Sequence, residues 1–218
     1  MRRKRGGATL AALAGAAVGA AGVVVLATTG GPSPPPKTAS AGSFLAAWQR
    51  SLTATYVVTW RFERVFVDGR RFSATLRRVQ RPPDRLEVST ASLSGRLHGR
   101  LVGCLVDERG AFACRDGGPA PPYRAEVARE MGLLGRLVNG PTATYGVRPE
   151  EDCFVLVLRA RLAAPPYGED ARFCFDLATG ALARAVVHRA AATDTHVATE
   201  LRTEVHDADL AVPGVGAE

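Results

Sequence analysis

Tyr56-Val57-Val58-Thr59-Trp60-Arg61-Phe62-Glu63 is the stretch from which the fold is read. Tyr56, Val58, Trp60 and Phe62 fall on one side of an extended chain and Val57, Thr59, Arg61 and Glu63 on the other, the alternation of a strand with one buried face. Just upstream, Ser43 can cap a short helix in which Phe44, Trp48 and Leu52 recur every four residues. Downstream, Asp68-Gly69 reverses the chain, Phe72 to Val79 returns, and Pro82-Pro83-Asp84 breaks it again before Leu86 and Val88. Further strands are predicted over Leu93 to Leu97, Arg100 to Val106 and Ala111 to Cys114, followed by a loop from Gly117 to Pro122. A second helix presents Val127, Met131, Leu134 and Val138 on one face and stops at Gly140-Pro141. Extended segments follow at Thr144 to Val147, Cys153 to Leu162, Ala171 to Leu177, Leu182 to Arg189 and Thr195 to Val205. Roughly ten strands and two short helices predict an α+β domain dominated by antiparallel pairing.

The ends of the chain specify a compartment. Arg2, Arg3, Lys4 and Arg5 precede 22 uncharged residues, Ala8 to Thr29. A spanning helix needs about 20 apolar residues and a secretory core only about 7 to 15, so length favours an uncleaved anchor, and the basic cluster keeps its own side cytoplasmic. Ala39 and Ala41 offer an A-x-A cleavage pattern, but farther beyond the apolar run than such sites normally lie. The expected organisation is a cytoplasmic basic segment 1–7, an anchor 8–29, a Pro/Gly/Ser linker 30–42 with Pro32, Pro34, Pro35 and Pro36, an extracytoplasmic domain 43–213 and a tail 214–218.

Composition excludes several functions. Net charge is +7, yet four of the basic residues lie in the first five positions, so the domain is only mildly basic and nucleic-acid binding is not expected. Both lysines, Lys4 and Lys37, precede the domain, which removes lysine-based covalent chemistry. The four cysteines allow three connectivities. In an exported chain the local pairings Cys104 with Cys114 and Cys153 with Cys174 are favoured, each across a hairpin. No C-x-x-C spacing suggests a metal, no cofactor motif is present, and no nucleophile elbow, zinc-binding helix or P-loop points to an enzyme. His98, His188, His196 and His206 are dispersed, and polar strand-face histidines are expected to be solvated. Arg70, Arg71, Arg77, Arg78, Arg81, Arg85, Arg96 and Arg100 could share one exposed sheet face that attracts anionic headgroups, or simply be solvated.

The leading helix entering a strand directly (Phe44 to Phe66), the break Arg81-Pro82-Pro83-Asp84-Arg85-Leu86 and the hairpin Phe175-Asp176-Leu177-Ala178-Thr179-Gly180 resemble the LolA-type fold. The similarity covers most of Ser43 to Pro213 and is greatest to exported LolA-like proteins of high-GC, actinobacterial type, in keeping with arginine almost wholly replacing lysine. The resemblance implies a curved antiparallel half-barrel with two covering helices around an apolar cavity for a lipid or lipoprotein acyl chain. Such a chain in water is disfavoured by about 0.8 kcal/mol per methylene. Tyr56, Val58, Trp60 and Phe62 facing Val127, Met131 and Leu134 are the implied lining, and the competing reading of the same side chains is a dry core. A tether departs from the freely diffusing carriers. It leaves open an alternative function: a non-enzymatic envelope sensor or interaction module contacting a membrane protein, as in LolA-like domains of envelope-stress regulators.

Overall fold

A computed structural model describes residues 38–212. The expected segments 1–7, 8–29 and 214–218, and most of the linker 30–42, lie outside the described residues. Among the described residues no helix is long and apolar enough to cross a membrane.

Helix α1 (Thr38–Thr53) leads into β1 (Tyr56–Phe66), and the chain meanders outward through β2 (Arg71–Arg81), β3 (Asp84–Ser89), β4 (Ser92–Leu97), β5 (Arg100–Val106) and β6 (Phe112–Pro119). Helix α2 (Tyr123–Val138) carries the chain across to β7 (Tyr145–Glu150). A second meander, β8 (Cys153–Leu158), β9 (Asp170–Phe175), β10 (Leu182–Arg189) and β11 (Ala192–Arg202), returns to pair with β1. The result is one curved, open antiparallel sheet of eleven strands in the order β6-β5-β4-β3-β2-β1-β11-β10-β9-β8-β7. Both helices lie over one face, and β6 and β7 are the outer strands.

Helix α1 begins at Thr38, upstream of the Ser43 cap expected from sequence, because Ala41 and Ala47 join Phe44 on a stripe long enough to bury against the sheet. Its last turn is tied down by side chains. Tyr56 Oη donates to Ser51 O (2.8 Å), Gln80 Nε2 donates to Ser51 O (2.9 Å) and Ala54 O (2.7 Å), and Tyr123 Oη donates to Leu52 O. These bonds satisfy carbonyls that a helix end leaves without partners. The predicted loop at Gly117 is instead strand: β6 pairs with β5 as far as Arg100 opposite Pro119, and the Ala120 N–H donating to Gly99 O (2.8 Å) extends the ladder.

Two corrections concern faces. The expected polar side of β1 is buried at Val57, which packs with Val79, Leu86, Leu93 and Val102 in an outer core. The cover is the segment after β11, where Val205, Leu210 and Val212 close over that face and a short 3-10 turn, Asp207–Leu210, sets Asp209 against Arg77 (2.5 Å) and Arg202 (2.7 Å). In β11 the register shifts opposite Thr59 and Trp60: Glu200 pairs with Thr59 but Ala198 pairs with Trp60. The extra residue, Thr199, is a bulge, so Leu201 faces inward above it and His196 faces inward below it. A strict two-residue alternation had placed His196 on the solvent side.

Both cysteine pairs are disulfides, Cys104–Cys114 between β5 and β6 and Cys153–Cys174 between β8 and β9, each joining residues directly opposite in the ladder.

Candidate functional site

The helix-bearing face divides into an apolar and a charged half. Over β7 to β10, Phe44 and Trp48 of α1 and Leu134 of α2 pack on Tyr145, Leu156, Phe173 and Phe175. Trp48 meets Phe173, Tyr167 and Phe175 edge-on at 5.3, 5.9 and 6.1 Å. Over β3 and β4 the same face carries Arg85, Glu87 and Arg96. Arg85 and Arg96 are cross-strand partners, and both bond Glu126 of α2 at 2.9 Å.

Between the halves the sheet curves around a cleft of about 400 Å³. Trp60 of β1 and His196 of the adjacent β11 line it together, with Leu76 and Arg78 of β2 and Glu87 of β3 on one side and Phe173, Leu182, Ala185 and Val187 of β9 and β10 on the other. Pro166 and Tyr167 form its rim. The rim is fixed by the buried Tyr145 hydroxyl, which accepts the Tyr167 N–H (3.0 Å) and donates to Gly168 O (3.1 Å). Gly168 has φ +68°, and a Cβ there would stand 2.1 Å from His188 O, so only glycine lets the rim loop approach β10. A second compartment of about 200 Å³ extends under the helices between Trp48, Leu52, Glu130 and Phe175, and shares Arg78, Glu87 and Leu182 with the first.

The volume lies within the range of about 300–1,000 Å³ typical of small-molecule sites, and an apolar lining with a few polar groups is their usual chemistry. Those polar groups are specific. Arg78 stacks over the Trp60 ring (5.4 Å) and bonds Glu87 through Nη2 (2.8 Å). The His196 ring lies 4.8 Å from Phe62 and 6.4 Å from Trp60, and burial pushes its pKa below the usual imidazole value. Burial raises the Tyr167 hydroxyl to about 12, leaving it a neutral hydroxyl at the rim.

Of the seven residues expected to line a cavity, only Trp60 borders this cleft. Tyr56 and Val58 are fully buried beside Trp60, Tyr56 bonded beneath α1. Phe62 is half-buried between His196 and Phe72. On α2, Leu134 and Val127 are buried and Met131 half-buried, Leu134 in the core with α1. The physical reason is curvature: with the adjacent strands β1 and β11 between them, β2 and β3 approach β9 and β10 around the cleft, so strand faces strand where a helix had been expected. The pattern Phe173-Cys174-Phe175 and the β10 alternation of Ala185 and Val187 carried the signal for the far wall.

The arginine series does not form a free basic face. Each of the eight has an acidic partner: Arg70 with Asp68, Arg71 with Glu63, Arg77 with Asp209, Arg78 with Glu87, Arg81 with Asp207, Arg85 and Arg96 with Glu126, and Arg100 with Asp116. His188 lies between Thr193 (Nδ1 to Oγ1, 3.0 Å) and Asp170 (Nε2 to Oδ1, 3.8 Å), an order of groups reminiscent of a nucleophile, base and acid. They are simply opposite residues on β11, β10 and β9, half-exposed on the outer face. Their ladder already uses the neighbouring backbone N–H groups, so none is free to stabilise an oxyanion there.

No protein-family model and no curated protein matches the chain. It is similar to the solved structure of a LolA superfamily protein from Nitrosomonas europaea, with 9% identity over 78% of this chain and 96% of that chain and a TM-score of 0.36. A DUF1329 family protein from Desulfovibrio piger aligns at 9% identity over 79% of this chain and 96% of that chain (TM-score 0.34). An outer membrane lipoprotein-sorting protein domain from Vibrio parahaemolyticus aligns at 9% identity over 80% and 97% (TM-score 0.30). What the cleft can hold follows from its own side chains.

Proposed function

We propose that this chain is a membrane-tethered, extracytoplasmic domain that holds the acyl chain of a lipid or lipoprotein non-covalently in the inner cleft. The observation that carries this reading is the cleft of about 400 Å³, walled by Trp60, Leu76, Phe173, Leu182 and Val187, on the inside of an open sheet. Each methylene moved from water into such a space contributes about 0.8 kcal/mol, so a chain filling it is held without covalent chemistry. The two disulfides suit an oxidising compartment, and the uncharged run 8–29 behind a Pro-rich linker supplies the tether.

Membranes from cells producing the full chain, illuminated with a diazirine-bearing fatty acid, test the whole proposal. The protein is expected to stay in the pellet through a carbonate wash. Crosslinks are expected in the peptides of β2, β9 and β10. Ala185→Trp, which narrows the cleft from a buried position, is expected to remove those crosslinks while the strand signal in far-UV circular dichroism is kept. Labelling confined to the outer face of the sheet, or unchanged in Ala185→Trp, would falsify the acyl-binding role, and release by carbonate would remove the tether.

A further inference from the structure

At its mouth the cleft carries one more positive charge than its acids balance. Outward from the row of Ala185, His196 and Phe62, the next inward-facing row across the sheet is Val187 of β10, Asp194 of β11, Arg64 of β1 and Phe72 of β2. Asp194, 6% exposed, is shared: it accepts from Arg64 Nε (2.5 Å) and Nη2 (2.8 Å) and from Arg189 Nε (3.0 Å). The hydrogen bonds from Arg64, and then from Arg189, hold its carboxyl below the ordinary value against the opposing pull of burial. No other carboxylate among the described residues bonds either guanidinium, so one ionised acid answers two cations. Arg189 borders the cleft beside Pro166 and Tyr167, and its Nη1 reaches only the rim carbonyls of Pro165 (3.5 Å) and Pro166 (3.4 Å). Both arginine side chains are 39% exposed, which leaves the surplus charge open to a ligand where the apolar lining ends.

We infer that Arg64 and Arg189 together receive a singly charged phosphodiester headgroup, that of the lipid whose acyl chain occupies the cleft. The inference rests on the acyl-binding reading of the cleft and adds the class of headgroup to it. Successive inward-facing rows of a strand are about 7 Å apart, so the two arginines stand within reach of the polar end of a chain lying against Trp60, Leu76 and Val187. A phosphodiester carries one negative charge, equal to the surplus that Asp194 leaves. Its geometry also fits better than a carboxylate. The two oxygens of a carboxylate fill a single guanidinium fork, as Asp194 already does on Arg64, whereas a tetrahedral phosphate has acceptors that can span two. Phe62 beneath Arg64 (5.9 Å) and Phe72, 55% exposed on the same row, offer apolar surface to the part of the lipid between headgroup and chain. Arg64 and Arg189 are thus assigned as specificity-determining residues.

Three diazirine-bearing probes of equal chain length, a lysophosphatidylglycerol, a fatty acid and a monoacylglycerol, separate the possibilities on the full chain reconstituted in phosphatidylcholine vesicles. Half-saturation of crosslinking to the β9 and β10 peptides is read for the wild type, Arg64→Gln and Arg189→Gln, so that partitioning of each probe into lipid cancels between variants. Loss of one partly exposed charge pairing predicts about fivefold weaker capture of the lysophosphatidylglycerol in either variant. Capture of the monoacylglycerol is expected to be unchanged, which also reports an intact cleft. Arg64→Lys keeps the charge and is expected to lose less. In the wild type, added sodium chloride is expected to weaken capture of the lysophosphatidylglycerol and not of the monoacylglycerol, which reads the site without any substitution. Insensitivity of lysophosphatidylglycerol capture to salt, or to both glutamine variants, overturns the inference while leaving an acyl-binding cleft. Equal dependence of the fatty acid on the two arginines overturns the phosphodiester assignment. Displacement of the probe by inorganic phosphate as effectively as by unlabelled lysophosphatidylglycerol overturns the headgroup as the source of the anion. Absence of cleft crosslinks with all three probes overturns both the inference and the reading on which it rests.

Discussion

Glu126 answers two arginines at once. Arg85 and Arg96 stand directly opposite each other on β3 and β4, an arrangement that repels when nothing intervenes. The Glu126 carboxylate bonds one arginine with each oxygen, and Arg96, 6% exposed, also donates to Pro121 O (3.0 Å) and stacks over Tyr123 (5.0 Å). A single α2 side chain therefore fixes the start of that helix over the charged half of the sheet. Glu126→Gln keeps the shape but leaves two largely buried cations facing each other. It is expected to destabilise the domain by about 3 kcal/mol, within the range for breaking a buried pair, as read from the urea midpoint. An unchanged midpoint would show that the arginines find water instead.

The segment after β11 is an element whose hold depends on pH. Hydrogen bonds from Arg202, with help from the His206 N–H and Arg77, hold the Asp209 carboxyl well below its ordinary value of 3.8 against the opposing pull of burial. A depressed carboxylate stabilises the fold fully above its unfolded value and loses that contribution as pH falls through the folded one. Asp209→Asn is therefore expected to lower stability at neutral pH by about 2 kcal/mol, the scale of charged hydrogen bonds. The gap between variant and wild type should close progressively in acid below pH 3.8, measured by urea unfolding across the pH range. A gap constant down to the strongest acid would mean that shape, not charge, holds the segment. This segment also shows where sequence stops being informative. Strand existence was legible because alternation is local: β10 spans Leu182–Arg189 as expected, and α2 carries the stripe of Val127, Leu134 and Val138. What covers Val57 was not, because its partners Leu210 and Val212 are far away in sequence and carry no periodic mark. The bulge at Thr199 likewise depends on how β1 and β11 register across the sheet, and it alone decides that His196 enters the cleft.

At the scale of the whole molecule, the two disulfides act on opposite flanks of the sheet. Cys104 and Cys114 are 10 residues apart and Cys153 and Cys174 are 21 apart, so the second closes a loop about twice as long. Chain-entropy arguments assign about 2–4 kcal/mol to each, and a doubling of loop length adds only about 0.6 kcal/mol. Serine replacement of either pair is expected to lower the urea midpoint, slightly more for Cys153 and Cys174, while added reductant should reproduce the double loss in the wild type. Identical midpoints with and without reductant would contradict this. The architecture itself was legible as an antiparallel half-barrel with two helices, whereas the far wall of the cleft was not. Which strands face each other depends on curvature summed over eleven strands, a property no single window of sequence carries. The unclosed sheet has one more consequence, since β6 and β7 each present a margin of backbone amides and carbonyls with no further strand beyond among the described residues. Pro149 flanked by Arg148 and Glu150 on one margin, and Arg115, Asp116 and Pro119 on the other, make poor templates for an incoming strand. Copies gathered at high local density are thereby discouraged from zipping together edge to edge into fibres.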